Sequence, residues 1–175
     1  VARALGDFEI VGVMRERTPF PRALFERLPK LKLLVTTGKR NAAIDLSAAR
    51  ALGITVVGTE SYKHAAPELT WALLMALARN LAAECSSLRS GGWQVGLGAD
   101  LHGSTLALLG LGSIGEKVAR FGQAFGMRVI AWSENLTEER AAQVGVERVS
   151  KQALFEQADM LSVHLVLGER SRGLV

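Results

Sequence analysis

Residues 105–133 read TLALLGLGSIGEKVARFGQAFGMRVIAWS, and this stretch decides the fold. Thr105–Leu109 is a short apolar run, as expected for a strand that is buried on both faces of a parallel sheet. Apolar side chains then recur at helical spacing from Ile114 to Phe125, and residues 128–132 form a second apolar run. The pattern therefore predicts a strand, a helix and a second strand, in that order.

Three glycines stand between the first strand and the helix with the spacing G-x-G-x-x-G. Gly110 permits a tight turn, Gly112 lets a pyrophosphate approach the backbone, and Gly115 lets helix and strand pack closely. The phosphates are expected on the free N–H groups of Ser113 and Ile114 at the helix N-terminus. We therefore predict a dinucleotide site; the alternative is that the glycines serve packing alone.

The residues at the end of the second strand determine cofactor specificity in such folds. Ser133 and Glu134 stand at the position of the acid that hydrogen-bonds the adenosine ribose. Glu134 accepts from ribose hydroxyls and repels a 2′-phosphate, and no arginine follows to neutralise one. These residues favour NAD, but Ser133 serves either cofactor, so NADP stays possible.

The composition is that of an ordinary soluble enzyme, and small anionic ligands explain its positive charge as well as nucleic acid would. The 175 residues are 49% hydrophobic and 22% charged, and the net charge of +4 is dispersed among acids. We therefore expect no nucleic-acid partner. The longest apolar stretch, Leu69–Ala78, is about half a membrane span, so no membrane partner is expected. Cys85 is the single cysteine, which predicts a reducing, cytoplasmic location without a disulfide.

The flanking segments predict further α/β units. The expected strands are Phe8–Val13, Lys32–Thr36, Ile54–Val57 and a buried strand at Met160–Val166. The expected helices are Pro19–Leu28, Leu46–Leu52 with Asp45 as its N-cap, a buried helix at Glu68–Ala83, Thr137–Gln143 and Ser150–Ala158. The glycine-rich segment Ser90–His102 is the expected crossing between two domains.

Five stretches in this order resemble the D-isomer-specific 2-hydroxyacid dehydrogenases. They are TTGKRNAAID followed by LSAARALGITVV, APELTWALLMALAR, LRSGGW, LHGSTLALLGLGSIG and ADMLSVHLVLGERSRGLV. The resemblance implies an α/β chain with a flavodoxin-like substrate domain at residues 1–95. It also implies a Rossmann-like, doubly wound NAD-binding domain at residues 96–175, and both domains are incomplete here.

The resemblance also implies an activity and partners. Family members transfer a hydride between NAD(P)H and a 2-oxo acid or D-2-hydroxy acid, and they commonly form homodimers. The catalytic Arg, Glu and His of the family are expected beyond residue 175, so residues 1–175 alone are expected to be inactive. Three alternatives stay open: a corepressor-like NAD sensor with little catalysis, an enzyme of an adenosyl ligand, and a naturally short binding module.

Site residues follow from the same resemblance. Gly38, Lys39 and Arg40 fall on the loop that holds the substrate carboxylate, although many relatives have a second glycine where this chain has Arg40. A solvated turn is the alternative for this loop. Leu165 and Val166 fall where the family lays its chain beneath the adenosine ribose.

The three histidines are not expected to be catalytic or to bind metal. His102 is predicted in a solvated turn, His64 before a helix, and His164 on a buried strand as a core imidazole. No metal-ligand or triad spacing links them, and none matches the acid–base His of the family.

Overall fold

The computed structural model describes residues 1–60, 62–166, 168 and 171–175. The chain divides into two compact units, Val1–Tyr62 and Lys63–Val175. The sequence predicts a domain boundary after residue 95. In the structure, residues 63–95 pack with the second unit instead. The physical reason is that Leu74 and Ala78 are buried in the core of that unit.

The first unit contains a three-stranded parallel sheet in the order β1-β2-β3. The strands are β1 (Ile10–Met14), β2 (Leu33–Thr37) and β3 (Thr55–Gly58). The helices are α1 (Ala2–Leu5), α2 (Arg22–Phe25) and α3 (Leu46–Ala51), with a 3-10 turn at Arg15–Arg17. The core consists of Val11, Phe20, Phe25, Leu28, Leu31, Leu34, Ile44, Ala48, Ala49 and Ile54.

Two details of the first unit test the sequence-based expectations. Asp45 caps α3 as predicted, because its carboxylate accepts the Ala48 N–H at 2.9 Å. The predicted helix at Pro19–Leu28 is too long, since α2 begins only at Arg22. Phe20 is extended and donates its N–H to the Ala43 carbonyl, a conformation favoured by the proline that follows it.

The second unit contains a four-stranded parallel sheet in the order β6-β5-β4-β7. Its strands are β4 (Thr105–Leu109), β5 (Arg128–Trp132), β6 (Glu147–Arg148) and β7 (Met160–Val163). Its helices are α4 (Ala65–Ala78), α5 (Leu81–Arg89), α6 (Ser113–Ala124), α7 (Glu138–Val144) and α8 (Lys151–Glu156). The predicted α/β class with parallel sheets is confirmed, and the central strand β4 is buried on both faces.

Two predicted elements differ from the structure. The helix expected at Glu68–Ala83 ends at Ala78, because Asn80 adopts a left-handed conformation with φ of 50°. That helix is also buried on one side only: Leu69, Leu73 and Leu77 are 60%, 62% and 73% exposed. The expected buried strand at Met160–Val166 is wrong in the same way, since β7 is an edge strand whose Val163 is exposed.

Candidate cofactor and substrate sites

The glycine loop begins with a turn that only glycine accommodates. Gly110 follows β4 with φ of +108°, in the left-handed region. A Cβ there would lie 3.0 Å from the carbonyl oxygen of His164 and from a Leu165 methyl group. The chain at the end of β7 therefore packs directly on this turn.

The other two glycines of the motif have opposite surroundings. A Cβ on Gly112 would meet no heavy atom within 4 Å, so this face of the loop is open. A Cβ on Gly115 would overlap the carbonyl oxygen of Gly110. The geometry fits close helix packing at Gly115 and free approach of a ligand at Gly112.

The N-terminus of α6 faces the same opening. Gly112 is the N-cap residue, no side chain caps the helix, and the first intrahelical bond runs from the Glu116 N–H to the Gly112 carbonyl. The N–H groups of Ser113 and Ile114 thus have no partner within the helix, as in every helix first turn. Free N–H groups at the positive end of a helix dipole are a suitable site for phosphate oxygens.

A cavity of about 590 Å³ brings together the four residues predicted to contact the adenosine. Ser133 and Glu134 follow β5, and Leu165 and Val166 follow β7. The volume is in the range usual for small-molecule sites. The other described lining residues are Trp132, Asn135, Gly168, Ser171 and Leu174.

Ser171 is a residue of this cavity that the sequence analysis missed. Its hydroxyl donates to the Val166 carbonyl at 2.7 Å and accepts the Gly168 N–H at 2.8 Å. It therefore fixes the turn that carries Val166. A serine three positions after a glycine is a recognisable turn signal.

The first arginine after Glu134 in the sequence is Arg140, and it forms an ion pair with Glu116. Arg140 donates to the Glu116 carboxylate at 2.6 Å, and Arg120 donates to the other oxygen at 2.8 Å. The hydrogen bond from Arg140 holds the pKa of Glu116 below its usual value. Arg140 thus joins α7 to α6, and in the described residues Glu134 itself has no ion-pair partner.

The candidate substrate loop lies at the carboxyl end of β2. Gly38 has φ of +90° and donates its N–H to the Thr59 hydroxyl at 3.0 Å. That N–H is therefore used within the protein. Within the described ranges, the N–H groups of Lys39 and Arg40 donate to no acceptor, and their exposed side chains make no ion pair.

Arg15 is a second residue that the sequence analysis missed. It directly follows β1, and its guanidinium lies against Gly38, where an added Cβ would come within 2.6 Å of Nη1. The sequence did contain a signal for this contact. Arg15 and Gly38 follow neighbouring parallel strands, and residues that follow such strands meet at one edge of the sheet. Arg15 therefore adds a third cation beside the loop that carries Lys39 and Arg40.

Comparison with known sequences decides the family. The NAD-binding domain of the D-isomer-specific 2-hydroxyacid dehydrogenases matches residues 71–175. The chain belongs to this family. Its match begins within α4, which agrees with the packing of α4 in the second unit.

Individual relatives extend the similarity to the first unit. The chain is 35% identical over 162 residues to a glyoxylate reductase of Aeropyrum pernix, covering 87% of this chain and 48% of the relative. It is 35% identical over 166 residues to a D-3-phosphoglycerate dehydrogenase of Mycobacterium tuberculosis, covering 93% of this chain and 31% of the relative. A Vibrio cholerae phosphoglycerate oxidoreductase structure superposes with a TM-score of 0.90 at 37% identity, covering 99% of this chain and 57% of the other. The chain thus spans between 31% and 57% of the length of these three proteins.

The three histidines occupy three different settings. His102 is exposed as predicted, and its ring covers Gly126. His64 is exposed, and the Lys117 ammonium lies 3.4 Å from both ring nitrogens. His164 follows the edge strand β7 with Nε2 3.0 Å from the Ser162 hydroxyl, and burial lowers its pKa.

The described residues contain neither a cluster of metal ligands nor a membrane-spanning helix. No group of three or more His, Cys, Asp or Glu side chains there is arranged to hold a metal ion. None of the described helices combines the length and apolar character needed to cross a membrane.

Proposed function

We propose that the complete protein is an NAD-dependent oxidoreductase that interconverts a 2-oxo acid and a D-2-hydroxy acid by hydride transfer. One arrangement in the second unit carries the proposal: an open glycine loop, a free helix N-terminus and a cavity of about 590 Å³ whose lining residue Leu165 packs against Gly110. The relatives support it, since they include a glyoxylate reductase and D-3-phosphoglycerate dehydrogenases.

The residues of the second unit bind and orient the cofactor in this proposal. The N–H groups of Ser113 and Ile114 hold the pyrophosphate, and Gly112 leaves the space it needs. Glu134 accepts from the adenosine ribose, and Leu165 and Val166 form the apolar floor of the adenosine cavity. The bound nicotinamide supplies the hydride acceptor or donor.

The residues of the first unit bind the acid. The N–H groups of Lys39 and Arg40 are directed to the substrate carboxylate, and the two side chains add positive charge. Gly38 contributes its left-handed backbone, which shapes the loop, and Thr59 holds it by accepting the Gly38 N–H.

The direct test is loss of NADH absorbance when the purified complete protein is mixed with glyoxylate, hydroxypyruvate or pyruvate. We expect turnover with at least one of these 2-oxo acids. Binding of NADH without turnover of any 2-oxo acid would favour the corepressor-like alternative. Absence of NADH binding would refute the proposed function.

We predict that NADH is preferred over NADPH by at least about tenfold in kcat/KM, which is about 1.4 kcal/mol. The reason is that Glu134 lines the cavity with a negative charge, while Arg140 is held by Glu116. Glu134→Gln should reduce the preference. Glu139→Gln removes an equal charge from α7, outside that cavity, and is the control that should leave the preference unchanged. A tenfold preference for NADPH would show that Ser133 governs the choice instead.

Two finer statements complete the proposal. We propose a cytoplasmic location, supported by the single cysteine, Cys85, which is exposed and free. We also propose that the complete enzyme is a homodimer, supported by the exposed leucines of α4 and the exposed Trp93.

A further inference from the structure

A single carboxylate holds two arginines beside the glycine loop. Glu116 lies in the first turn of α6 and directly follows Gly115, the last glycine of the motif. Its Oε2 accepts from Arg140 of α7 at 2.6 Å, and its Oε1 accepts from Arg120 of α6 at 2.8 Å. Two cations thus share one anion, and the cluster keeps one positive charge in excess.

The shared carboxylate is connected to the end of β5 through the glycine loop. The Gly110 N–H donates to the Trp132 carbonyl at 2.9 Å, so the start of the loop is bonded to the residue before Ser133. Gly115 packs on the Gly110 carbonyl, and the shared carboxylate belongs to the next residue. The guanidinium of Arg140 is therefore held beside the loop that joins the pyrophosphate and ribose positions of the proposed cofactor site.

The chain between β5 and α7 also keeps Arg140 near the ribose position. The Ser133 carbonyl accepts the Leu136 N–H at 3.1 Å, which closes a tight turn directly after β5. Thr137 then caps α7, and its hydroxyl accepts the Arg140 N–H at 3.2 Å. One tight turn and one helical turn thus separate Arg140 from Ser133 and Glu134, a short span for the long side chain of arginine. That side chain is 42% exposed, so it can change direction without disturbing a core.

A cation at this place bears on cofactor choice. NADP differs from NAD by a 2′-phosphate on the adenosine ribose, and arginine commonly accommodates that group in dinucleotide-binding folds. In the described part of the chain, the Arg140 guanidinium donates to Glu116 and to no other acceptor. Loss of that acceptor would therefore leave Arg140 available to a phosphate on the ribose.

We propose that Glu116 is a positioning residue that contributes to cofactor specificity by holding Arg140 away from the 2′ position of the ribose. Discrimination against NADP then has two parts, because Glu134 repels the phosphate and Glu116 withholds the arginine that would bind it. This inference rests on the proposed function. It adds a second determinant of cofactor choice, one that does not itself line the adenosine cavity.

Glu116→Gln and Glu116→Met in the complete protein test the release of Arg140. Glutamine removes the charge, methionine also removes the acceptor, and both keep an unbranched side chain of similar length. We expect kcat/KM with NADPH to rise by about 10- to 100-fold through a lower KM, because a charged hydrogen bond is gained. The value with NADH should change less than about threefold. Calorimetric titration gives a readout without catalysis: adenosine 2′,5′-bisphosphate should bind more tightly, and ADP should not.

Arg140→Gln identifies the cation that binds the phosphate. The gain should disappear when Arg140→Gln is added to Glu116→Met, whereas Arg140→Gln alone should leave the preference of the unaltered protein unchanged. Glu147→Gln is the matched control, because it removes an equal charge and releases Arg128 from a 2.7 Å ion pair at the opposite end of β5. This control should not alter the preference.

Three outcomes would overturn the inference while leaving the proposed function intact. One is an unchanged ratio of NADPH to NADH affinity in both Glu116 variants. Another is a gain that survives Arg140→Gln, which would assign the phosphate to a different group. A third is an equal loss with both cofactors, or loss of the fold in both variants, which would mark Glu116 as structural only. Absence of NADH binding by the unaltered protein would instead refute the proposed function.

Discussion

Gly112→Val in the complete protein is expected to weaken NADH binding by at least about 100-fold, or about 2.7 kcal/mol, with little change in Tm. The Gly112 backbone has φ of −84°, which valine adopts, and the space beside it is empty. An added Cβ therefore meets no protein atom, and the side chain is expected to fill the position through which a pyrophosphate reaches the N–H groups of Ser113 and Ile114. Isothermal titration with NADH measures the affinity, and thermal unfolding measures the stability.

Gly115→Val is the matched control, because it should lower Tm, whereas Gly112→Val should leave Tm nearly unchanged. A Cβ at this position overlaps the Gly110 carbonyl, so either α6 or the turn after β4 must move. Such overpacking commonly costs about 1–3 kcal/mol, and Tm should fall. If Gly112→Val binds NADH as tightly as the unaltered protein, the dinucleotide assignment is wrong.

Trp93→Glu and Leu73→Glu are each expected to convert the complete protein from a dimer to a monomer at micromolar concentration. Leu69, Leu73 and Leu77 follow one another at four-residue spacing along α4 and are more than half exposed. Such a row is a typical signature of a protein contact surface. In a two-fold interface each substitution acts twice, and two buried glutamates are strongly unfavourable.

The arm that carries Trp93 is ordered despite its exposure. The Glu84 carboxylate accepts the N–H of Val95 at 3.1 Å and of Gly96 at 2.8 Å. The Ser87 hydroxyl donates to the Trp93 carbonyl at 2.6 Å. These bonds hold the segment while Trp93 remains 78% exposed, so its apolar surface is available for a second copy without a large ordering cost.

Light scattering of the complete protein measures the mass directly. Leu46→Glu is the control variant, since Leu46 is 59% exposed on α3, an element of the first unit, and should leave the dimer intact. A monomeric mass for the unaltered protein would contradict the prediction. So would a dimer that persists in both Trp93→Glu and Leu73→Glu.

Much of the fold could be predicted because its signals are local. The bounds of β4 and β5 are those expected from their apolar runs. The caps of α3, α7 and α8 also follow the sequence, since Asp45, Thr137 and Ser150 each accept an N–H three residues later. The glycine loop was predictable for the same reason, because its G-x-G-x-x-G spacing is complete within six residues.

The remaining features depend on neighbours that are distant in the sequence. The strand β6 is only two residues long and forms because β5 offers Ile130 and Ala131 as partners. The edge position of β7 and the exposure of the α4 leucines depend on which other elements pack against them. Hydrophobic periodicity along the sequence does not contain that information. The position of Arg15 on Gly38 is set by β1–β2 pairing and by Asn41, twenty-six positions further along the chain.

The sequence by itself thus determined the α/β class and the glycine loop, because these follow from local conformational preferences. Only the tertiary structure decided that Gly38 shares its surroundings with Arg15, that Glu116 holds Arg140, and that the leucines of α4 remain exposed. The physical reason is that side-chain pairing and burial are set by strand order and packing, which join segments that no local pattern connects.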